Sequence, residues 1–190
     1  MTRSLVSLRS AVPDDADRLA DLWSDVLRRA DPADQAADVR SVIERVGPLH
    51  DERLVVAEYD HELAGAVHLR AATMTPLNLE PVVQTISPHV FPQYRRHGVG
   101  RALMEASVAF ADELGIAHVA TAVVAGSRDA NRYMARLTLG PYALLRVAPV
   151  HTVKARLGSR RPVLARPNAR PLTQVLAARR SQRRAQTPVT

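Results

Sequence analysis

The chain has 190 residues, of which 26 are Lys or Arg and 19 are Asp or Glu, so its formal net charge is +7. The charge is uneven, since residues 151–190 hold ten basic and no acidic residues whereas residues 1–150 carry a net charge of −3. The lack of cysteine excludes disulfides, thiolate zinc sites and cysteine nucleophiles. No apolar run reaches the roughly 18–20 residues that cross a bilayer. We expect one cytoplasmic globular domain followed by a basic tail.

The first half of the chain predicts a strand, two helices and a β-hairpin. Pro13 and the two aspartates after it are typical of a helix start, because proline and acidic residues both favour the first turn. Apolar residues then recur at helical spacing as far as Leu27. The hairpin turns at Asp60 and His61. We expect strands over 5–9, 53–58 and 62–71, and a second helix over 36–46.

The second half of the chain predicts strands that alternate with helices. We expect strands over 81–90 and 118–124, helices over 98–115 and 127–137, and an extended segment over 142–153. A strand–helix–strand crossover joins parallel neighbours of one sheet. The sequence therefore predicts an α/β fold in which a central mixed sheet is flanked by helices.

A glycine pair after the strand over 81–90 predicts an anion-binding turn. Glycines let a backbone approach a ligand closely, and the free N–H groups of a helix N-terminus attract negative charge. Four cationic side chains surround the pair, which suits a pyrophosphate: Arg95, Arg96, His97 and Arg101. The alternative is a strand–helix turn in which glycines serve tight packing and the arginines are solvated. Neither the phosphate loop of P-loop NTPases nor the three-glycine dinucleotide pattern is present.

These residues resemble a known family. Arg95-x-x-Gly98-x-Gly100 matches the Arg/Gln-x-x-Gly-x-Gly/Ala signature of the GNAT superfamily of acyl-CoA-dependent N-acyltransferases, and Val90-x-Pro92-x-Tyr94 resembles the family's approach to that turn. The order of elements also matches, over roughly residues 3–153. The resemblance implies a GNAT-like N-acyltransferase domain over residues 1–153 that transfers an acetyl group from acetyl-CoA to an amine. A basic Arg/Pro-rich tail would occupy residues 154–190.

The resemblance also implies which residues bind the co-substrate. The pyrophosphate would lie against the turn, and the backbone near His89 and Val90 would pair with the pantetheine arm. The arm would fill a gap where the strand over 118–124 splays from its neighbour, and the amine would approach from the opposite side. The implied acetyl-CoA-binding residues are His89, Val90, Arg95, Arg96, His97, Gly98, Val99, Gly100, Arg101 and Ser127.

The catalytic acid and base depart from the family pattern. In the family's Asn-x-x-Ala-x-x-x-Tyr pattern, Ser127 takes the asparagine position and Met134 takes the tyrosine position. Tyr133 is a displaced acid or a packing residue, and Tyr142 is a second candidate. Glu80 is the candidate base or a solvated loop carboxylate. His89 and His118 are further base candidates or structural histidines. The seven histidines are scattered, so we predict no metal site.

The tail leaves several functions open. It contains no acidic residue and four prolines, which argues against an independent core. It is a solvated tail, with a short helix from Thr173, or a non-specific nucleic-acid contact through residues 154–190. The chain is thus an acetyltransferase, a catalytically weak acyl-CoA-binding sensor, or a nucleic-acid-associated protein. The expected partner is a small-molecule or protein amine, without a membrane, and a homodimer stays open.

Overall fold

The structure is a computed structural model that describes residues 5–122 and 126–159. Within these residues, the strands are β1 Val6–Ser10, β2 Glu52–Tyr59, β3 Glu62–Thr73, β4 Pro81–Val90 and β5 Val119–Thr121. The α-helices are α1 Ala16–Leu22, α2 Pro32–Val46, α3 Val99–Glu113, α4 Arg128–Arg136 and α5 Val150–Ser159. Two 3₁₀ turns cover Pro13–Asp15 and Pro92–Tyr94. No helix of the described part is long and apolar enough to span a bilayer.

The strands form one mixed sheet in the order β1-β2-β3-β4-β5. The first four strands pair antiparallel, and β4 pairs parallel with β5 through the crossover helix α3. Helices lie on both faces, so the predicted fold class is confirmed. The chain divides into two compact units, Met1–Pro141 and Tyr142–Thr190, and the sheet belongs to the first.

Each face of the sheet has its own apolar core. Leu19, Trp23 and Ile43 of the α1–α2 region pack on one face, where Phe91 joins them at the edge. Leu103 and Phe110 of α3 pack on the other face together with residues of β2, β3 and β4. The periodic burial of each helix is what positions its N-terminus against the sheet.

Strand β4 contains a bulge that the sequence analysis did not anticipate. Val67 of β3 faces two residues of β4, since the register shifts between Ala66 and His68. Ser87 at this point has a φ of +47°. The next residue is Pro88, which has no N–H, and a proline within a sheet is usually found at an edge or a bulge. The bulge bends β4 and redirects the residues that follow it.

Several predicted boundaries differ from the structure. The first helix ends at Leu22 rather than near Leu27, and the second begins at Pro32. The predicted strand over 118–124 is observed as Val119–Thr121 within the described residues, which do not include 123 and 124. The extended segment over 142–153 is wrong at its end, because α5 begins at Val150. Pro149 presets helical backbone geometry and its carbonyl accepts the first bonds of α5, which outweighs the β-branched residues there.

An ionic network holds the start of α1 to the sheet. The Arg9 guanidinium donates to both Asp15 carboxylate oxygens at 2.7 and 2.8 Å and to Glu58 at 2.6 Å. The Val12 N–H also donates to Asp15 at 2.8 Å. Burial alone would raise the pKa of Asp15, but the bonds from Arg9 and Val12 hold that pKa below its ordinary value. The network therefore fixes the angle at which the chain enters α1. The predictions for residues 160–190, including the helix from Thr173, lie outside the described residues.

Candidate active site

The N-terminus of α3 presents a row of backbone donors. Its first helical hydrogen bond runs from the Ala102 N–H to the Gly98 carbonyl at 3.0 Å, so the amides of residues 98–101 have no acceptor within the helix. Gly98, the N-cap, has a φ of +87°, and Arg96 two residues earlier has a φ of +67°. Successive N–H groups around left-handed residues form a concavity that binds anions. We call residues 95–101 the α3 turn.

Aromatic packing and one hydrogen bond fix the α3 turn on the sheet. The His97 Nδ1–H donates to the Arg95 carbonyl at 2.9 Å. The His97 ring lies edge-on to Tyr59 of β2, with 4.8 Å between ring centroids, and Tyr59 also contacts Tyr94 at 5.9 Å. His97 was predicted to bind the co-substrate, and in the structure its ring holds the turn in place.

The cationic side chains of the α3 turn are not equivalent. Arg95 and Arg96 are exposed and available to an anion. The Arg101 Nε donates to Glu105 of the same helix at 2.7 Å, although both side chains are largely exposed. Arg101 therefore offers only a shared charge to a ligand on the turn.

Among the described residues, no strand pairs with β4 beyond Thr85 on its β5 side, and we call this side of residues 86–90 the open edge. Pairing with β5 is confined to residues 83–85 of β4, where the Thr121 hydroxyl also donates to the Thr85 carbonyl at 2.9 Å. Beyond Thr85, β4 continues to Val90 without a β5 partner among the described residues. The open edge therefore includes the part of β4 that leads into the α3 turn.

The backbone donors on this open edge follow from the β3–β4 register. The Phe91 N–H donates to the Ala64 carbonyl of β3 at 2.9 Å, and His89 pairs with Ala66. Alternation along an antiparallel pair then points the Val90 N–H and carbonyl toward the open edge. The other position on that edge is Pro88, which has no N–H. The edge thus offers one amide donor where an ordinary strand would offer two.

A polar cluster lies on the bulge, on the face of the sheet that α1 and α2 cover. The Trp23 Nε1–H donates to the Ser87 carbonyl at 2.8 Å, and the His89 Nδ1–H donates to the same carbonyl at 3.1 Å. The His89 Nε2 lies 3.3 Å from an Asp25 carboxylate oxygen. Of these residues only His89 was a candidate from the sequence, and Trp23 and Asp25 were missed. Pro88 inside a predicted strand was a signal for the bulge, but no local pattern pointed to these two residues.

The structure places Glu80 away from this cluster. Glu80 precedes β4, and its carboxylate lies 3.3 Å from the His118 Nδ1 just before β5. Seven residues separate Glu80 from Ser87, which corresponds to roughly 20 Å along a strand. The contact with His118 gives Glu80 a role at the start of the β4–β5 pair.

On α4, Met134 is buried and Tyr133 is partly buried. The sequence left open whether Tyr133 is an acid or a packing residue, and its burial is compatible with both roles. Met134 is 8% exposed, and the Tyr133 hydroxyl is buried without a hydrogen-bond partner among the described residues. Burial raises the pKa of Tyr133, and smaller influences come from Arg136, Glu105 and Arg101. The charges of α3 therefore act on this phenol, which is neutral at physiological pH and has a proton to donate. Ser127 is the N-cap residue of α4, but its hydroxyl makes no capping bond.

Comparisons with known proteins identify the family. The profile of the acetyltransferase (GNAT) family matches residues 17–138. The chain belongs to this family, so the resemblance proposed from the α3 turn is confirmed. No curated protein sequence matches the chain.

Solved structures share the fold at low sequence identity. A transcriptional regulator from Bacillus halodurans C-125 is 17% identical with a TM-score of 0.65, covering 76% of this chain and 99% of its own. An aminoglycoside N-acetyltransferase solved with CoA is 14% identical with a TM-score of 0.62, covering 76% and 93%. A glucosamine-6-phosphate N-acetyltransferase from Arabidopsis thaliana is 11% identical with a TM-score of 0.60, covering 76% and 98%. At these identities the likeness extends to the fold alone.

Proposed function

We propose that the chain is an N-acetyltransferase that transfers the acetyl group of acetyl-CoA to an amine by direct attack on the thioester. The observation that carries the proposal is the α3 turn, with its free amides over residues 98–101, placed directly after the open edge of β4. A pyrophosphate and an extended arm are the two groups that such a turn and such an edge bind. Two of the similar structures are named as N-acetyltransferases of amine-bearing molecules, which supports this choice.

The residues present fit acetyl-CoA along its length. The amides of the α3 turn and the exposed Arg95 and Arg96 would hold the pyrophosphate. The N–H and carbonyl of Val90 would pair with an amide of the pantetheine arm, as an added strand pairs with a sheet edge. The thioester then lies near the bulge, and the amine approaches from the α1–α2 face.

The chemistry needs a negative charge to be stabilised and a thiolate to leave. The thioester carbonyl oxygen becomes an oxyanion when the amine attacks. Pro88 has no N–H, so the open edge has one backbone donor fewer to stabilise that oxyanion. Thiols ionise near pH 8.5, so a thiolate is a tolerable leaving group at neutral pH. Tyr133 is our candidate for the proton donor, because its buried hydroxyl has no hydrogen-bond partner in the described part of the chain and feels the charges of Arg101 and Glu105.

A catalytically weak acyl-CoA-binding module is the second candidate. Two observations favour it, namely Met134 at the usual tyrosine position and Pro88 on the open edge. Both candidates require acetyl-CoA binding at the α3 turn, and they differ in turnover. A positioned acid contributes about 10²–10⁴-fold, so its displacement slows an enzyme without abolishing the reaction.

The test compares the two ends of α3. Gly98 and Gly115 both have a positive φ and no heavy atom within 4 Å of an added Cβ, so Gly98→Trp and Gly115→Trp impose similar backbone strain. We expect Gly98→Trp to weaken acetyl-CoA binding by more than about tenfold, since strain of about 1–2 kcal/mol distorts the turn and the ring fills it. Gly115→Trp should bind as the wild type does.

Isothermal titration calorimetry measures the binding, and thiol release with a panel of amines measures turnover. Equal affinity in the two tryptophan variants would contradict a pyrophosphate site at the α3 turn. Tight binding without thiol release from any amine would favour the sensor over the enzyme.

A further inference from the structure

The α1–α2 region carries an excess of negative charge. Between residues 14 and 38 the sequence contains eight aspartates and three arginines. Arg9 neutralises Asp15, and Arg28 pairs with Asp38 at 2.5 Å. Asp25 has no arginine partner among the described residues, and its side chain is 70% exposed. The region therefore attracts cations to the surface that contains Asp25.

The hydrogen bonds of His89 determine which ring nitrogen accepts a proton. The Ser87 carbonyl accepts from Nδ1 at 3.1 Å, so a neutral His89 carries its proton on Nδ1 and leaves Nε2 as an acceptor. The Trp23 indole holds the same carbonyl at 2.8 Å, which keeps that acceptor in position. In that neutral form Nε2 and the Asp25 carboxylate oxygen, 3.3 Å apart, are both acceptors, so a donor group that reaches them from the side can bond to both.

An ammonium group suits two such acceptors. It carries three donors and a positive charge, so it can donate to the carboxylate and to Nε2 at once. His89 is adjacent to Val90, whose amide lies on the open edge where the acyl arm is placed. In the proposed acetyl-CoA site, a nitrogen bound to Asp25 and His89 would lie beside the thioester, on the face opposite α3.

We propose that Asp25 and His89 form the acceptor site, where they bind a cationic primary amine and His89 Nε2 removes its proton. This inference rests on the proposed acetyl transfer and specifies its substrate class. Asp25 attracts the ammonium, and His89 converts it to the neutral amine that attacks.

The reaction balances with these groups. One N–H proton of the ammonium moves to Nε2, and the amine lone pair forms the C–N bond at the thioester carbon. The C–S bond then breaks, the thiolate receives a proton from the Tyr133 hydroxyl, and the nitrogen of the intermediate passes its second proton to that phenolate. The products are the amide and the thiol, and the imidazolium releases its proton to water.

The kinetic test uses the full chain with two amines of different charge. Butylamine is an ammonium ion at pH 7.5, whereas aniline is neutral. We expect Asp25→Asn to raise the KM for butylamine about tenfold while the KM for aniline stays within about twofold, because only the cation loses a charged partner. We expect His89→Gln to lower kcat for butylamine about 10²-fold and to affect aniline less, since aniline arrives without that proton.

Asp17→Asn is the matched control, because Asp17 is an exposed aspartate of the same acidic region and should leave both amines unaffected. Asp25 is itself exposed, so its variant tests the inference even if His89→Gln fails to fold. An equal rise in KM for both amines in Asp25→Asn, or no rise, would overturn the inference.

A binding measurement separates this inference from the proposed function. In full-length protein labelled with ¹³C-histidine, butylammonium should shift the His89 ring signals in the wild type and leave them unchanged in Asp25→Asn. Tetramethylammonium, which cannot donate a hydrogen bond, should produce no shift. A shift without acetyl transfer to any amine would overturn the enzyme and leave the amine site standing. Acetyl transfer without a shift would overturn the amine site and leave the proposed enzyme activity standing.

Discussion

The two sides of the candidate active site use different chemical groups, backbone amides on one side and side chains on the other. On the co-substrate side, the α3 turn is made of backbone, with amides over residues 98–101 oriented by one continuous segment. On the acceptor side, the cluster is made of side chains from two segments, Trp23 and Asp25 before α2 and His89 on β4. A backbone site binds a group common to every reaction of the family, whereas a side-chain site can differ in each member.

Gly65 connects the two sides, and its substitution should have the largest effect. A Cβ on Gly65 would lie 2.6 Å from the His89 carbonyl oxygen and 3.1 Å from a methyl group of Val99. The first contact is with backbone, so β3 and β4 must separate at the bulge. We expect Gly65→Ala to lower the free energy of unfolding by about 1–3 kcal/mol and to impair both acetyl-CoA binding and amine turnover.

Urea denaturation and calorimetry check this prediction, with Gly47→Ala as the control. A Cβ on Gly47 would meet the Ile43 and Glu44 carbonyl oxygens at 3.5 and 3.9 Å, which are ordinary contact distances. If Gly65→Ala reduced turnover while leaving acetyl-CoA affinity unchanged, the two sides would be mechanically independent.

The same contrast explains what the sequence could predict. Glycines at fixed spacing mark the α3 turn because only certain residues adopt its backbone, so a local pattern is enough to predict an anion-binding turn there. The strand over 81–90 was also predicted with the observed bounds, since β-branched residues such as Val82, Val83 and Ile86 favour a strand. The cluster of Trp23, Asp25 and His89 brings together residues more than 60 positions apart, and local periodicity carries no information about that contact.

Two misreadings have a local cause. Pro88 was read as part of a regular strand, although its missing N–H is what permits the bulge. The β-branched residues Val150 and Val153 favoured an extended segment, whereas Pro149 starts a helix there. In both places the backbone restriction of one proline outweighs the preference of its neighbours for a regular extended strand.

The stability that Asp15 gives to α1, on the acceptor side, should depend on pH. We expect this effect to be smaller than that of Gly65→Ala. The pKa of Asp15 is below its ordinary value, so the folded state binds this proton less readily than the unfolded state does. The resulting stability is present above about pH 4 and is lost as the pH falls through the lowered pKa. We expect Asp15→Asn to lose about 2 kcal/mol at pH 7 and to differ less from the wild type as the pH falls below about 4.

Thermal or urea unfolding between pH 3 and 7 measures this difference, and Asp14→Asn, an exposed neighbour, is the control. Under conditions where the variant is folded, its acetyl-CoA affinity should equal that of the wild type, because Asp15 supports α1 and not α3. A constant difference across the pH range would mean that the carboxylate charge does not carry the effect.

The smallest effect should come from a side chain on the co-substrate side. Glu105 holds the Arg101 guanidinium at 2.7 Å, and both are exposed. We expect Glu105→Gln to release Arg101 and to tighten acetyl-CoA binding about twofold at low salt, with the gain disappearing at high salt. Glu113→Gln is the matched control, since Glu113 pairs with Arg53 at the other end of α3.

The size of the affinity change in Glu105→Gln tests whether the co-substrate side binds its ligand mainly through backbone amides. If backbone amides supply most of the pyrophosphate affinity, removing one nearby exposed charge can change the dissociation constant only slightly. Weaker binding in Glu105→Gln would instead mean that Glu105 positions Arg101 for the ligand. A change of more than about tenfold, which corresponds to about 1.4 kcal/mol, would mean that side chains build the co-substrate side as they build the acceptor side.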